Sequence, residues 1–264
     1  MSIHIKTPDE IAIMREAGRI VARAHEALRA AVRPGISTQA LDRIAETVIR
    51  DHGAVPAFLN YPKQDAPNFP ATITVCLNNE LVHGIPSPRR FLCEGDIISL
   101  DTGCHYQGFV GDAAFSMAVG EIPPSVQRLL AVTERALYVG IEASVLPNET
   151  KDVSLAIQRY VESQGYSVAR EYTGHGVGRE MHEEPQMPNW WPHKIRPRHR
   201  MAWQSCPLEP GMTYALEPMV IAGRNELVEL DDKWTVVTKD GSLCAHWEHT
   251  VAITNGAPQI LTLL

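Results

Sequence analysis

The chain has 264 residues, with 24 Lys and Arg against 31 Asp and Glu, a formal net charge of −7. That balance argues against whole-surface attraction to nucleic acid or an anionic membrane, and no stretch approaches the roughly 20 consecutive apolar residues of a membrane span. No Gly/Ser-rich, Pro-rich or low-complexity stretch marks a boundary, so a single domain (1–264) is expected; charges at Lys6, Asp9, Glu10, Arg15 and Arg19 leave no signal-peptide core and the five cysteines form no CxxC pair, so a reducing cytoplasm is expected.

Thr7-Pro8-Asp9-Glu10 reads as a capping box with proline at the first helical position, followed at helical spacing by Ile11, Met14, Ile20, Val21 and Leu28. After the Arg33-Pro34-Gly35 break, Ser37 is placed to cap a second helix with the apolar stripe Leu41, Ile44, Ala45, Val48 and Ile49, ending near Gly53. Segments 72–77, 96–103 and 108–118 read as strands, with Gln107-Gly108-Phe109 as a hairpin turn. Asp101 and Asp112 then fall on adjacent antiparallel strands, although their odd separation does not settle which faces they occupy.

The second half repeats this pattern about 113 residues later (34 to 147). Pro34, Ser37, Ile44 and Val48 are answered by Pro147, Thr150, Ile157 and Val161, with Gly53 answered one place early by Gly165. Gly95 to Leu100-Asp101 matches Gly211 to Leu216-Glu217, and His83-Gly84-Ile85-Pro86 matches His182-Glu183-Glu184-Pro185. So long a period implies two similar α+β units facing each other across a pseudo-twofold axis, with their strand-end carboxylates converging on one cleft.

Asp101 and Asp112 taken alone read as strand-end aspartates bonded to backbone N–H groups; His175 stands between Gly174 and Gly176, where bare backbone permits close approach of a metal or substrate, although taken alone it reads as a turn residue. Glu217 at the end of an apolar run and Glu248 in His246-Trp247-Glu248-His249-Thr250 add two more carboxylates on strands expected to be partly buried. Four buried carboxylates cost several kcal/mol each without counter-charge, and no Lys or Arg is placed to neutralise all of them. Two divalent ions balance four carboxylates and a neutral imidazole, leaving a bridging water to be acidified to hydroxide. The oxygen-rich set suits Mn²⁺, Fe²⁺ or Co²⁺, with Zn²⁺ also compatible. His83 and His182 are candidate catalytic donors to a substrate carbonyl and its oxyanion, or else core histidines.

Taken together, Asn78…His83-Gly84-Ile85-Pro86, Asp101-Thr102-Gly103, Gly111-Asp112, Gly174-His175-Gly176-Val177-Gly178, Glu217-Pro218-Met219 and Glu248-His249-Thr250 resemble the motifs of the type I methionine aminopeptidases over nearly the whole chain. The resemblance implies the pita-bread α+β fold, two pseudo-symmetric halves (approximately 8–120 and 121–255) with an antiparallel β-sheet backed by helices. It further implies that Asp112 and Glu248 bridge two metals, that Asp101 completes one site, and that His175 and Glu217 complete the other. Glu217 would also handle protons, while His83 and His182 contact substrate. Phe69, Met181, Trp234 and either Tyr61 or Phe58 would line a methionine pocket. The implied activity is release of N-terminal methionine from peptides and nascent proteins, with a small second residue favoured.

Two positions depart from the family pattern: Thr74 stands where cysteine is usual and His246 where glutamine is usual. The 186–208 connection is longer than usual and carries Trp190, Trp191 and a basic stretch over 193–200, read either as a solvated loop or as a contact with ribosomal RNA. Neither a membrane nor DNA is an expected partner, and a monomer is expected. Competing readings are a prolidase or aminopeptidase P, which usually carry a large N-terminal domain, and a metal-free binding protein on the same scaffold. A two-metal phosphoesterase lacks its Arg/Lys clamp.

Overall fold

The computed structural model describes residues 3–194 and 203–264; Arg196, Arg198, His199 and Arg200 of the basic stretch lie outside the described residues. The helices are α1 (Pro8–Ala31), α2 (Thr38–Asp51), α3 (Pro124–Ala143) and α4 (Thr150–Ser163). Strands β1 (Val55–Pro56), β2 (Ile73–Leu77), β3 (Glu80–Val82), β4 (Ile97–Tyr106) and β5 (Phe109–Ala118) precede α3. After α4 come β6 (Ser167–Val168), β7 (Gly174–Gly176), β8 (Glu183–Met187), β9 (Thr213–Leu216), β10 (Met219–Ile221), β11 (Leu227–Glu229), β12 (Val236–Thr238), β13 (Cys244–His246), β14 (His249–Ala252) and β15 (Gln259–Ile260).

Local chemistry explains the helix starts. Thr7 Oγ1 accepts from Glu10 N at 3.3 Å while Glu10 Oε2 accepts from Thr7 N at 3.0 Å, the reciprocal capping box at the head of α1. Ser37 Oγ caps α2 by accepting from Ala40 N at 3.2 Å. Within α2 the fully buried stripe is Leu41, Ala45 and Ile49, one helical turn apart. Ile44 and Val48 are only half-buried.

The repeat is real, but its register is one residue shorter than the sequence match suggests. An isolated bridge pairs Ser37 with Phe91, and a second pairs Glu149 with Pro207. Ser37 therefore corresponds to Glu149, the residue before α4, and Thr38 to Thr150, both buried first residues of their helices. In that register Leu41, Ala45 and Ile49 coincide with Val153, Ile157 and Val161, all fully buried, and Gly165 falls in step with Gly53. The prolines at 34 and 147 were misleading because they lie outside the helices, where chain length between elements is free to vary.

β4 and β5 form a ten-residue hairpin closed by Gln107 (φ 48°) and Gly108 (φ 81°), positive values that match a two-residue turn of primed type. β1 and β2 lie end to end on the other edge of β4. In the second half the sheet order is β15-β14-β9-β7-β8. The two sheets meet where Ala114 and Glu248 exchange backbone hydrogen bonds (2.9 and 3.3 Å). Side chains alternate across each strand: Leu100 and Phe115 enter a core shared with α1 and α2, while Asp101 faces a cavity. The α3 and α4 core, with Leu137, Ile157, Tyr214 and Leu216, is its counterpart. Beyond β8, Trp190 and Trp191 pack against Trp203 with ring centroids 4.7 and 5.3 Å apart, and Trp191 N–H donates to Gln158 on α4.

Candidate active site

The hairpin register settles the faces of the first two carboxylates. Asp101 pairs with Ala114 and Gly103 with Asp112, so the two aspartates are diagonal neighbours on one face. Glu217 and Glu248 do not lie within strands, as the sequence pattern suggested. Glu217 separates β9 from β10 and Glu248 separates β13 from β14, at the level where a two-stranded ribbon leaves one sheet and enters another. Pro218, which has no N–H to donate, marks that break in the ladder.

His175 is on β7, and its flanking glycines serve the neighbouring strands. A Cβ at residue 176 would come within 2.3 Å of the Glu184 carbonyl oxygen, and one at residue 174 within 2.5 Å of the Ala215 oxygen. The glycines let three strands crowd together around the ring; the sequence pattern alone had suggested room for a ligand. His175 Nδ1 lies 3.0 Å from the Gly176 carbonyl oxygen. A carbonyl can only accept, so Nδ1 carries the proton and Nε2 presents its lone pair to the carboxylates.

Donor atoms of Asp112, His175 and Glu248 lie within 4.8 Å of one another. Nε2 of His175 is 3.7 Å from Asp112 Oδ2 and 3.5 Å from Glu217 Oε1. Asp101 joins them in lining a cavity of about 540 Å³. Burial, then Asp112, holds the Asp101 carboxyl well above the usual carboxylate range; burial and then its aspartate neighbours do the same for Glu217 and Glu248. Burial pushes Asp112 up to about 7 and His175 down to about 3, with His182 adding to the latter. Among the described residues no Lys or Arg lines the cavity, and Asp101 Oδ1 and Asp112 Oδ1 are buried without a hydrogen-bond partner. Four carboxyl groups and an imidazole lone pair aimed at one space are the donor set a divalent cation needs, and without a cation their charges are unfavourable.

The other predicted residues surround this centre. His182 lies over His175, with ring centroids 4.2 Å apart, and its Nδ1 is 2.6 Å from the Tyr61 hydroxyl. His83 adopts a left-handed backbone (φ 60°), uncommon for a residue with a Cβ, between Tyr172 and Trp234. Burial lowers its ring to about 4. Phe69 and Trp234 meet edge to face at 5.1 Å, and Trp234 Nε1 donates to the Pro67 carbonyl at 2.9 Å. Phe58, Tyr61 and Met181 complete an apolar side of the same cavity.

Three contributors escaped the sequence reading. Tyr172 lines the cavity beside His83, and its position two residues before Gly174 is the only signal it offers. Lys6 Nζ lies 2.5 Å from Glu183 Oε2 with both side chains buried, while Glu183 Oε1 accepts from the N–H groups of Arg179 and Glu180. This ion pair ties the amino-terminal segment to the turn carrying Met181 and His182. Lys63 contacts Glu229 and donates to the Lys233 carbonyl at 2.6 Å, clamping the Trp234 hairpin to the Phe58–Phe69 loop. Contacts across 177 or 166 residues leave no local pattern.

A pseudo-symmetric antiparallel framework backed by helices, with buried carboxylates and a histidine at its centre, defines a metallopeptidase of the pita-bread fold. The model of metallopeptidase family M24 matches residues 12–255. The chain is 49% identical over 257 residues to methionine aminopeptidase 1 of Bacillus subtilis, covering 97% of this chain and 98% of that protein. The crystal structure of methionine aminopeptidase from Thermotoga maritima superposes with a TM-score of 0.90 at 40% identity, covering all of both chains. A prolidase from Pyrococcus furiosus shares the fold alone, with a TM-score of 0.75 at 22% identity and 65% of that chain covered. The chain belongs to metallopeptidase family M24 and, within it, to the type I methionine aminopeptidases.

Proposed function

We propose that this protein hydrolyses the first peptide bond of peptides and new proteins to release N-terminal methionine, and that it favours a small second residue. The observation that carries this reading is the union, in one cavity, of a buried carboxylate–histidine cluster with an apolar wall of Phe69, Met181 and Trp234. Asp101, Asp112, His175, Glu217 and Glu248 are assigned to hold two divalent ions, Mn²⁺, Fe²⁺, Co²⁺ or Zn²⁺. Such a pair supplies Lewis acidity for activating water and polarising a carbonyl. The charge count favours two ions, since four carboxylates then balance without any lysine or arginine.

The side chains of the chain do the rest. The apolar wall receives the methionine side chain and sets the scissile bond against the carboxylates, excluding water from its flank. Burial and acidic neighbours raise the Tyr61 hydroxyl, so it stays protonated and can donate to His182 Nδ1. His182 Nε2 then carries the ring proton and serves as a donor to the substrate carbonyl and its developing oxyanion, a contribution of roughly 3 kcal/mol. His83, which lines the same cavity, is assigned the same donor role. Glu217, with one oxygen facing His175, is suited to accept a proton and return it to the leaving amine.

No helix among the described residues is long and apolar enough to cross a membrane. Action as a cytoplasmic monomer on nascent chains is part of the proposal. Ribosome contact through residues 193–200 rests on sequence, and equal co-sedimentation after charge reversal at Arg196, Arg198 and Arg200 would remove it. The main test is turnover of Met-Ala-Ser beside Ala-Pro-Ala, by protein stripped of metal and supplied with Mn²⁺ or Fe²⁺. Met-Ala-Ser is expected to be cleaved only with metal, and His175→Ala to abolish cleavage. Preference for Ala-Pro-Ala would move the chain to the prolidase reading.

A further inference from the structure

His246 lines the cavity, is 2% exposed, and its Nε2 has no hydrogen-bond partner among the described residues. Its backbone is held by hydrogen bonds of its own. The backbone pairs with Met219 across β13 and β10; its N–H donates to Ser116 Oγ at 2.9 Å, and Ser116 Oγ donates to its carbonyl at 2.8 Å. Glu217 Oε2 lies 3.6 Å from Nε2. The other oxygen of that carboxylate, Oε1, faces His175 Nε2 at 3.5 Å. Glu217 thus sits between two imidazoles. His175 has its proton on Nδ1 and turns a lone pair toward Oε1. A lone pair on His246 Nε2 as well would leave the carboxylate between two acceptors, whereas a proton there gives the buried Nε2 a partner after a shift of a few tenths of an ångström.

The pseudo-twofold axis adds a second, independent argument. Ala114 and Glu248 exchange backbone bonds on the axis. Two residues to either side, the same hydroxyl clip occurs twice: Ser116 holds the backbone of His246, and Thr250 holds that of Asp112, accepting from its N–H at 3.2 Å and donating to its carbonyl at 2.8 Å. His246 therefore occupies in the second half the position of Asp112 in the first. A carboxylate there would be a fifth negative charge in a cavity whose four would be balanced by the two divalent ions of the reading above. A neutral donor fits that position.

We propose that His246 is a positioning residue that donates from Nε2 to Glu217 Oε2, so that Oε1 alone is turned toward the metal site. The proposal rests on the metallopeptidase reading above. Its test is calorimetric titration of Mn²⁺ into metal-free wild type, His246→Gln and His246→Leu, with thermal unfolding confirming that each is folded. Wild type binding Mn²⁺ establishes the metal site itself; its failure to bind would overturn the site, whatever the variants do. His246→Leu is expected to weaken Mn²⁺ about 10- to 100-fold, the usual cost of losing a partner of a metal ligand, while His246→Gln, whose amide can donate, stays within about threefold of wild type. In a Glu217→Gln background, His246→Leu should add less than about twofold. Unchanged affinity in His246→Leu would overturn the proposal, as would His246→Gln binding as weakly as His246→Leu, which would make the ring a direct ligand. At saturating Mn²⁺, His246→Leu should lower kcat for Met-Ala-Ser about tenfold or more and leave KM within about twofold.

Discussion

The two halves share a backbone plan and divide the chemistry unequally. Asp101, within β4, and Glu217, just past β9, occupy equivalent positions and both face the cavity, but at three other positions the register pairs unlike residues across the axis. Asp112 is matched by His246 and Glu248 by Ala114. The Thr74–Asp101 pairing of β2 with β4, set beside the His175–Ala215 pairing of β7 with β9, matches His175 with Cys76. By the same register His83 and His182 are equivalents, each nine residues past a threonine, Thr74 and Thr173. A symmetric scaffold brings two strand ends together cheaply. A symmetric side-chain set would crowd the axis, since two glutamates at 114 and 248 would point into the same space. The small Ala114 leaves room for Glu248, and the asymmetry keeps the cluster at four carboxylates.

The largest expected effect breaks the comparison at its most unequal pair. Asp112→Ala should reduce cleavage of Met-Ala-Ser by about a thousandfold or more, the scale seen when a group acting as part of a unit is removed. His246→Leu at the equivalent position should cost far less, and equal losses at the two positions would mean that the halves contribute alike.

A second contrast concerns the loops bearing the two histidines. The turn of His182 is tied by the buried Lys6–Glu183 pair, whereas the segment before His83 is tied by Arg90 to Glu80, with side chains 27% and 17% exposed. Lys6→Met leaves a buried carboxylate unpaired and should destabilise by about 3–5 kcal/mol in urea unfolding. Arg90→Met should cost about 1 kcal/mol or less, because water screens that pair and Glu80 keeps its bond from Leu77 N–H.

A third contrast concerns the hydroxyl clips. Thr250→Val and Ser116→Ala each remove one buried hydroxyl and should each cost about 1–3 kcal/mol by the same measurement. Thr250→Val should also weaken Mn²⁺ more than Ser116→Ala does, because Thr250 clips a direct candidate ligand and Ser116 clips a positioning residue. The reverse order would invert the assignment of Asp112 and His246.

Much of this was legible in one dimension, for local reasons. The capping box at Thr7, the Ser37 cap, the three strands read in the first half and the turn at Gln107-Gly108 depend on neighbours within a few residues, and the structure has each of them, with β4 running on to Tyr106 where 103 was expected. The repeat was legible in outline, but its helical register was misread by one residue because the prolines that suggested it lie outside the helices. Glu217 and Glu248 were assigned to strands, while the structure sets them at a break between sheets, which depends on how two ribbons bend together.

Which chemical groups are present, their order along the chain and the excess of carboxylate over counter-charge among the motifs are set by the residue order, because composition and local periodicity are properties of the chain alone. That Asp101 and Asp112 share a face, that His175 turns Nε2 toward the carboxylates, that Lys6 secures the His182 turn, and that His246 faces Glu217 are settled by the packing of distant segments. Each of these follows from strand register or from a contact between residues far apart in the chain, and the free energy of burying groups together depends on where they meet in space.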